Sequence, residues 1–195
     1  MRRKRTIGTG QGPGRRSRQN VATLLISTTY SDHLRRIRFW LALFIAGLIL
    51  SGITAFPLQT ELGWLVWLVH AEPLRQVAES TGLGSWIDQV DEGLRATNER
   101  YPFIAYGTDW LGFAHFVIAV AFIGPFIDPV RNKWVITFGL IACAGVLPLA
   151  LIAGPIRGIP LGWRLIDCSF GFVGSIPLLI CRREIRALEQ GSHVG

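Results

Sequence analysis

Four ionisable residues lie in or at the edge of long apolar runs, and they are the residues of this sequence best placed to do chemistry. They are two carboxylates, one imidazole and one guanidinium, namely Asp109, His115, Arg164 and Asp167. Ionisable side chains are costly inside a bilayer, so they usually face the interior of a helical bundle or a cavity, where they bind ions or relay protons. The four residues therefore form a candidate intramembrane polar cluster.

The spacing of these residues allows two interpretations, and the sequence leaves both open. Arg164 and Asp167 are three positions apart, so they share a helix face and can pair. That face continues through small residues that favour close helix contact, namely Gly171, Gly174 and Ser175. A network of arginine, aspartate and His115 could clip helices together without any chemistry. The alternative is that it lines a small outward-facing cavity for a proton, an ion or a polar ligand.

The other possible sites have weaker signals. A haem held by two histidines needs a second histidine inside the membrane, and the other outer histidine, His70, lies in a connection. The cysteines form no C-x-x-C pair and occupy apolar segments, where small packing residues are typical: Cys143, Cys168 and Cys181. No H-E-x-x-H pattern occurs. We therefore predict no catalytic residue, no cofactor and no metal ion.

The composition is that of a membrane protein. Half of the 195 residues are hydrophobic and 17% are charged, whereas a soluble domain has roughly 25% charged residues. The seven Trp and 22 Gly agree with this class, because Trp collects at bilayer interfaces and Gly permits close helix packing. The length suits one compact unit.

Four apolar runs can cross a bilayer, which takes about 20 helical residues. They cover about 38–57, 108–127, 133–154 and 162–181. In the fourth run only 14 uncharged residues separate Asp167 from Arg182, or roughly 21 Å of helix. This run crosses only if Asp167 enters the apolar slab. The alternative is a half-buried or re-entrant segment.

The distribution of Lys and Arg predicts the orientation. Most of them lie in the N-terminal segment, the loop 128–133 and the C-terminal segment, which share one side if the chain crosses four times. The positive-inside rule places that side, and both termini, in the cytoplasm. The acidic connection 58–105 then forms a small extracytoplasmic helical cap. Within it, Leu62–Val69 contains Trp64 and Trp67 and is too short to span, so it is either an interfacial helix or the apolar base of the cap.

Residues 1–36 form a basic cytoplasmic tail that we expect to be disordered. Nine Lys and Arg residues face a single Asp there. The stretch Gly8–Gly14 looks like a phosphate loop but lacks the Lys-Ser/Thr that follows such a loop, so it is interpreted as a flexible linker. No aromatic residues are interleaved among the bases from Arg2 to Arg18, so nucleic-acid binding is not expected. The tail is expected to bind anionic lipids or to fix the orientation of the chain.

Several segments are similar to those of known sequences. They are 51–62 (SGITAFPLQTEL), 101–110 (YPFIAYGTDW), 126–136 (FIDPVRNKWVI), 154–160 (GPIRGIP) and 164–171 (RLIDCSFG). On these segments, residues 37–189 resemble a group of uncharacterised bacterial four-helix inner-membrane proteins. The resemblance implies a location in the bacterial cytoplasmic membrane. It implies no activity, so no catalytic residue is carried over from it.

Together these patterns predict an all-α, four-transmembrane-helix bundle with a small extracytoplasmic cap. The membrane domain covers 37–186, and a short tail covers 187–195. The leading functional hypothesis is a non-enzymatic accessory, scaffold or sensor component with an unidentified membrane-protein partner. The first alternative is a small transporter or proton-relay protein that uses His115 and Asp167. The second is a membrane enzyme with a pocket on the extracytoplasmic side.

Overall fold

The computed structural model describes residues 13–192, with side chains described at residue 28 and from 30 to 191. No strand occurs in this part of the chain. The helices are α1 (Pro13–Thr54), α2 (Leu58–His70), α3 (Leu74–Thr81), α4 (Leu83–Arg100), α5 (Tyr106–Ala121), α6 (Ile123–Ile127), α7 (Lys133–Pro148), α8 (Gly154–Ile156) and α9 (Leu161–Ser192). A turn of 3₁₀-helix, Pro102–Ala105, precedes α5, and a turn of π-helix, Leu149–Ala153, joins α7 to α8.

Four helical segments are long and apolar enough to cross a membrane. They are Tyr30–Thr54, Pro102–Ile127, Lys133–Ile156 and Leu161–Gly191. The prediction of an all-α chain with four such helices is therefore confirmed. The fourth segment is part of one continuous helix, α9, and not a re-entrant turn. Helical bonding changes from α to π directly after Pro148, as is common where a proline interrupts the helical hydrogen bonds.

The four long helices alternate in direction. We call the end that holds Tyr30, the loop 128–132 and the last turns of α9 the terminal end. The opposite end, which carries α2–α4, is the insert end, and residues 58–100 are the insert. Along the bundle, α1 packs on both α5 and α9, and α9 also packs on α7. The apolar core lies toward the terminal end and consists of Ile37, Leu41, Phe122, Ile136, Leu178, Cys181, Ile185 and Leu188.

Glycines allow the closest helix contacts. A Cβ atom on Gly112 of α5 would lie 2.8 Å from the carbonyl oxygen of Gly52 on α1 and 2.8 Å from the Phe56 ring. A Cβ on Gly171 of α9 would lie 2.6 Å from the carbonyl oxygen of Cys143 on α7. Small residues therefore let backbones approach at both crossings, as in other membrane bundles. The second contact agrees with the small face predicted for α9.

The first helix begins earlier than the sequence suggested. Residues 13–36, which we expected to be part of a disordered tail, are helical and continuous with the first membrane segment. A helix that is already formed extends by one hydrogen bond per residue, so growth from a packed segment is easier than a new start. From Leu34 onward, apolar side chains at helical spacing also belong to the core or pack against it. Residues 1–12, with most of Gly8–Gly14, and the final residues 193–195 lie outside the described part.

The insert is a small three-helix unit. Its helices pack on one another around buried apolar residues: Leu62, Ala78 and Ile87. Gly82 joins α3 to α4 with a φ of 70°, a left-handed conformation that favours glycine. The insert also contacts the bundle, because a Cβ on Gly162 of α9 would lie 3.2 Å from Leu83. The predicted cap is thus helical.

Candidate functional site

The predicted polar cluster occupies the half of the bundle nearer the insert. Asp109 lies in the first turn of α5 and His115 lies almost two turns further along the same helix. Arg164 and Asp167 lie in the first two turns of α9. All four side chains are partly buried. In the described residues, no hydrogen bond or ion pair joins any two of the four.

His115 is held by its own helix. Its Nδ1 atom lies 2.8 Å from the carbonyl oxygen of Leu111, one turn earlier. Because a carbonyl oxygen can only accept, Nδ1 carries the proton when this bond forms, and Nε2 is the free acceptor of the neutral ring. The site therefore presents a histidine with a defined tautomer and one nitrogen open to a further partner.

Arg164 packs on the backbone of α8. Its aliphatic carbons lie against Gly154, where a Cβ would come within 2.9 Å of Cγ. The Nε atom is buried and has no hydrogen-bond partner in the described part of the chain. The side chain is thus directed by contact with α8, and the three-residue spacing from Asp167 produces no ion pair in this structure.

The helices that carry the two halves of the cluster meet through a third helix. α5 packs on α1, and α1 packs on α9, whereas α5 and α9 make no more than minor contact. His115 and Asp167 therefore lie on helices that have no substantial direct interface in the described chain. A shared function of the four residues stays a prediction.

A second polar cluster, at the terminal end, has the paired geometry that the first lacks. Glu184 on α9 is the one charged side chain that is buried in the described residues, with 7% of its surface exposed. One carboxylate oxygen contacts Nδ1 of His33 on α1, and the other lies 3.7 Å from a guanidinium nitrogen of Arg36. We call His33, Arg36 and Glu184 the terminal clamp.

Further polar contacts surround the clamp and join the same helices. The Sγ atom of Cys181 lies 3.6 Å from the carbonyl oxygen of Ile37, which links α9 to α1. Lys133 of α7 donates to Glu189 of α9 at 2.7 Å. These contacts fix the position of α1 and α7 relative to α9 at this end of the bundle.

One pattern in the sequence indicates that Glu184 is buried, although the neighbouring arginines suggest an exposed segment. Glu184 stands among Arg182, Arg183 and Arg186, so composition alone indicates a basic C-terminal segment. The buried positions of α9 nevertheless continue with helical period to the end of the helix: Leu178, Cys181, Ile185 and Leu188. Glu184 falls on this face, three residues after Cys181. A carboxylate on a buried face requires a partner from another helix.

The insert has its own polar contacts. Nε2 of His70 on α2 lies 3.4 Å from Oδ2 of Asp88 on α4, which joins the two helices. An open groove runs along α4 and is lined by Asp88, Asp91, Glu92, Arg95, Ala96 and Glu99. Asp91 is paired with Arg95 at 2.8 Å. Nowhere in residues 13–192 do three His, Cys, Asp or Glu side chains converge as a metal site.

Comparison with known proteins gives no match. No family model, no curated protein and no solved structure is similar to this chain. The resemblance to bacterial inner-membrane proteins therefore stays a prediction, and the geometry of the chain carries the functional argument.

Proposed function

We propose that the chain is a multi-pass protein of the bacterial cytoplasmic membrane, with both termini in the cytoplasm and the insert outside. Four apolar helices support the membrane location. Exposed bases at the terminal end support the orientation: Arg35, Arg36, Arg131, Arg182 and Arg183. Exposed tryptophans stand near both ends of the spans, Trp110 at the insert end and Trp134 at the terminal end, as in aromatic belts.

The role that the geometry supports best is that of a non-enzymatic scaffold or accessory component. The observation that carries this proposal is the terminal clamp, because a buried carboxylate joins the start of the first span to the last helix. The apolar segment Leu161–Gly191 has 31 residues, or about 46 Å of helix, whereas about 30 Å crosses the bilayer core. The last turns of α9 therefore project beyond the bilayer, next to the part of α1 that holds His33 and Arg36. We call these two helix ends the projecting pair.

The projecting pair of helices is suited to docking. The clamp holds α1 and α9 in one arrangement, and the contact between Lys133 and Glu189 ties α9 to α7, so a partner meets a preorganised surface. Its outer side carries bases, among them Arg182 and Arg183 on α9. We infer that a membrane-protein partner binds here, and that the basic N-terminal segment adds attraction to anionic lipid.

Site-specific photo-crosslinking in cells tests the scaffold role. A photoreactive residue replaces Arg186, which is exposed on the projecting pair, or Phe170, which is exposed on the apolar part of α9 as a matched control. The proposal predicts one discrete protein adduct from the first position and none from the second. It also predicts that Glu184→Ala abolishes the adduct. Purification of the protein alone, together with no adduct and no growth phenotype on gene deletion, would contradict the proposal.

A second candidate, a small transporter or proton relay, is favoured by one observation. Asp167 lies partly buried in the fourth span without a hydrogen bond or ion pair in the described chain, and Nε2 of His115 is free at the same end of the bundle. Ionisable groups within membrane spans are typical of ion and proton pathways. Proton uptake by protein in vesicles under an imposed potential tests it. The relay predicts uptake that Asp167→Asn abolishes and that Asp109→Asn retains in part.

A further inference from the structure

Helix α2 has two different faces, and one of them is unpartnered in the described chain. Leu62 is buried against the insert, and on the same side His70 reaches Asp88 of α4. The opposite side presents large apolar residues. Trp64 and Trp67 are each 71% exposed, and Leu68 is 43% exposed. The contact with α4 fixes the rotation of α2, so the tryptophans face away from the insert.

This face is apolar and too short to span. No ionisable residue occurs between Glu61 and His70, a stretch of about 12 Å in a helix, against about 30 Å for the bilayer core. A short helix with one apolar face and polar ends is typical of segments that lie in the membrane interface. Because Trp64 and Trp67 are exposed, they are not packed as an apolar base inside the insert in the described chain.

Helix α2 begins close to the insert end of the spans. Only the turn 55–57 separates α2 from the end of α1. Within that turn, Phe56 stacks on Phe116 of α5, with ring centroids 6.1 Å apart. The insert end of α5 exposes two more aromatic residues, Tyr106 at 61% and Trp110 at 57%. Exposed aromatic residues on the spans thus lie at the same end of the bundle as α2.

We propose that α2 is an interfacial helix whose occupant is lipid: Trp64, Trp67 and Leu68 lie at the boundary between headgroups and acyl chains of the leaflet on the insert side. Neither indole N–H has a hydrogen-bond partner in the described chain. Lipid headgroups and interfacial water can accept from both, whereas an apolar contact with a second copy would leave them unpaired. The inference rests on the membrane location and is independent of the scaffold role.

Tryptophan fluorescence in vesicles tests the inference. Three versions of the full chain each keep one tryptophan, Trp64, Trp67 or Trp134, and have Phe at the other six positions. Each is placed in phosphatidylcholine vesicles that carry bromine either near the headgroups or near the bilayer centre. Trp134, which is 68% exposed at the terminal end of the third span, is the control for insertion. Iodide is added separately as a quencher that stays in water.

The expected result is that Trp64 and Trp67 are quenched by the shallow bromines as strongly as Trp134. They should be quenched less by the deep bromines and little by iodide. Quenching by iodide alone would show that the insert stands off the membrane, and protection from all quenchers would show that protein covers the face; both outcomes overturn the inference. Stronger quenching by the deep bromines would overturn it too. If neither the shallow nor the deep bromines quench Trp64, Trp67 or the control Trp134, the membrane location itself is overturned.

Discussion

The carboxylate of Glu184 on α9 contacts the imidazole of His33 on α1, although 151 positions separate the two residues in the chain. Glu184 is buried, and His33 is largely so, with 28% of its side chain exposed. A charge removed from water is costly unless a partner and hydrogen bonds compensate for it. The contact therefore fixes how α1 and α9 lie against each other, and it predicts a measurable coupling.

Removal of His33 should destabilise the folded protein. His33→Ala leaves the buried carboxylate with only the more distant guanidinium of Arg36, and such a loss costs about 1–3 kcal/mol. Thermal unfolding in detergent measures the change. Arg35→Ala is the matched control, because Arg35 pairs with Asp32 at the surface, where both side chains are mostly exposed, and such pairs contribute little.

A double-mutant cycle separates the contact from general damage. If His33 and Glu184 act as a pair, the effects of His33→Ala and Glu184→Ala should sum to more than the effect of the double variant. Strictly additive losses would show that the two residues stabilise the protein independently and that no clamp exists.

The contact between Gly52 and Gly112 should not tolerate a methyl group. In Gly112→Ala the new Cβ would lie 2.8 Å from the Gly52 carbonyl oxygen, so the backbones of α1 and α5 must separate. Overpacking of this kind costs about 1–3 kcal/mol. Gly107→Ala in the same helix is the control, because its Cβ would meet no atom within 4 Å. Unfolding midpoints that fall equally for both variants would argue against a close crossing at Gly112.

Charge distribution predicts which side each connection faces. Gly93→Cys places a thiol on an exposed part of α4, where its Cβ would meet no atom within 4 Å. Arg131→Cys places one in the loop between the second and third spans. A membrane-impermeant maleimide should label the first variant in spheroplasts and the second only after lysis, with the parent chain as control for native thiols. The reverse pattern would invert the proposed orientation.

The sequence predicts those features that depend on local pattern. Apolar runs of sufficient length predict the four long helices, and small residues at helical spacing predict a close helix contact of the kind seen between Gly171 and α7. The terminal clamp depends on the register of two helices that are distant in the chain, and no local pattern contains that register. Arg164 and Asp167, whose spacing allows a pair, form no ion pair in this structure for a related reason: the arginine side chain packs against Gly154.

Asp167 gives the sharpest test of whether the polar cluster is structural. It lies within the fourth span and makes no hydrogen bond or ion pair in the described chain, so its charge stabilises nothing there. Neutralising an unpaired ionisable group in a membrane removes an energetic cost. Asp167→Asn should therefore leave the unfolding temperature in detergent unchanged or raise it, whereas Glu184→Gln, which weakens a paired carboxylate, should lower it. If Asp167→Asn destabilises the protein as much as Glu184→Gln does, the aspartate has a structural partner. Stabilisation of the fold, and not proton transfer, then explains its place in the span.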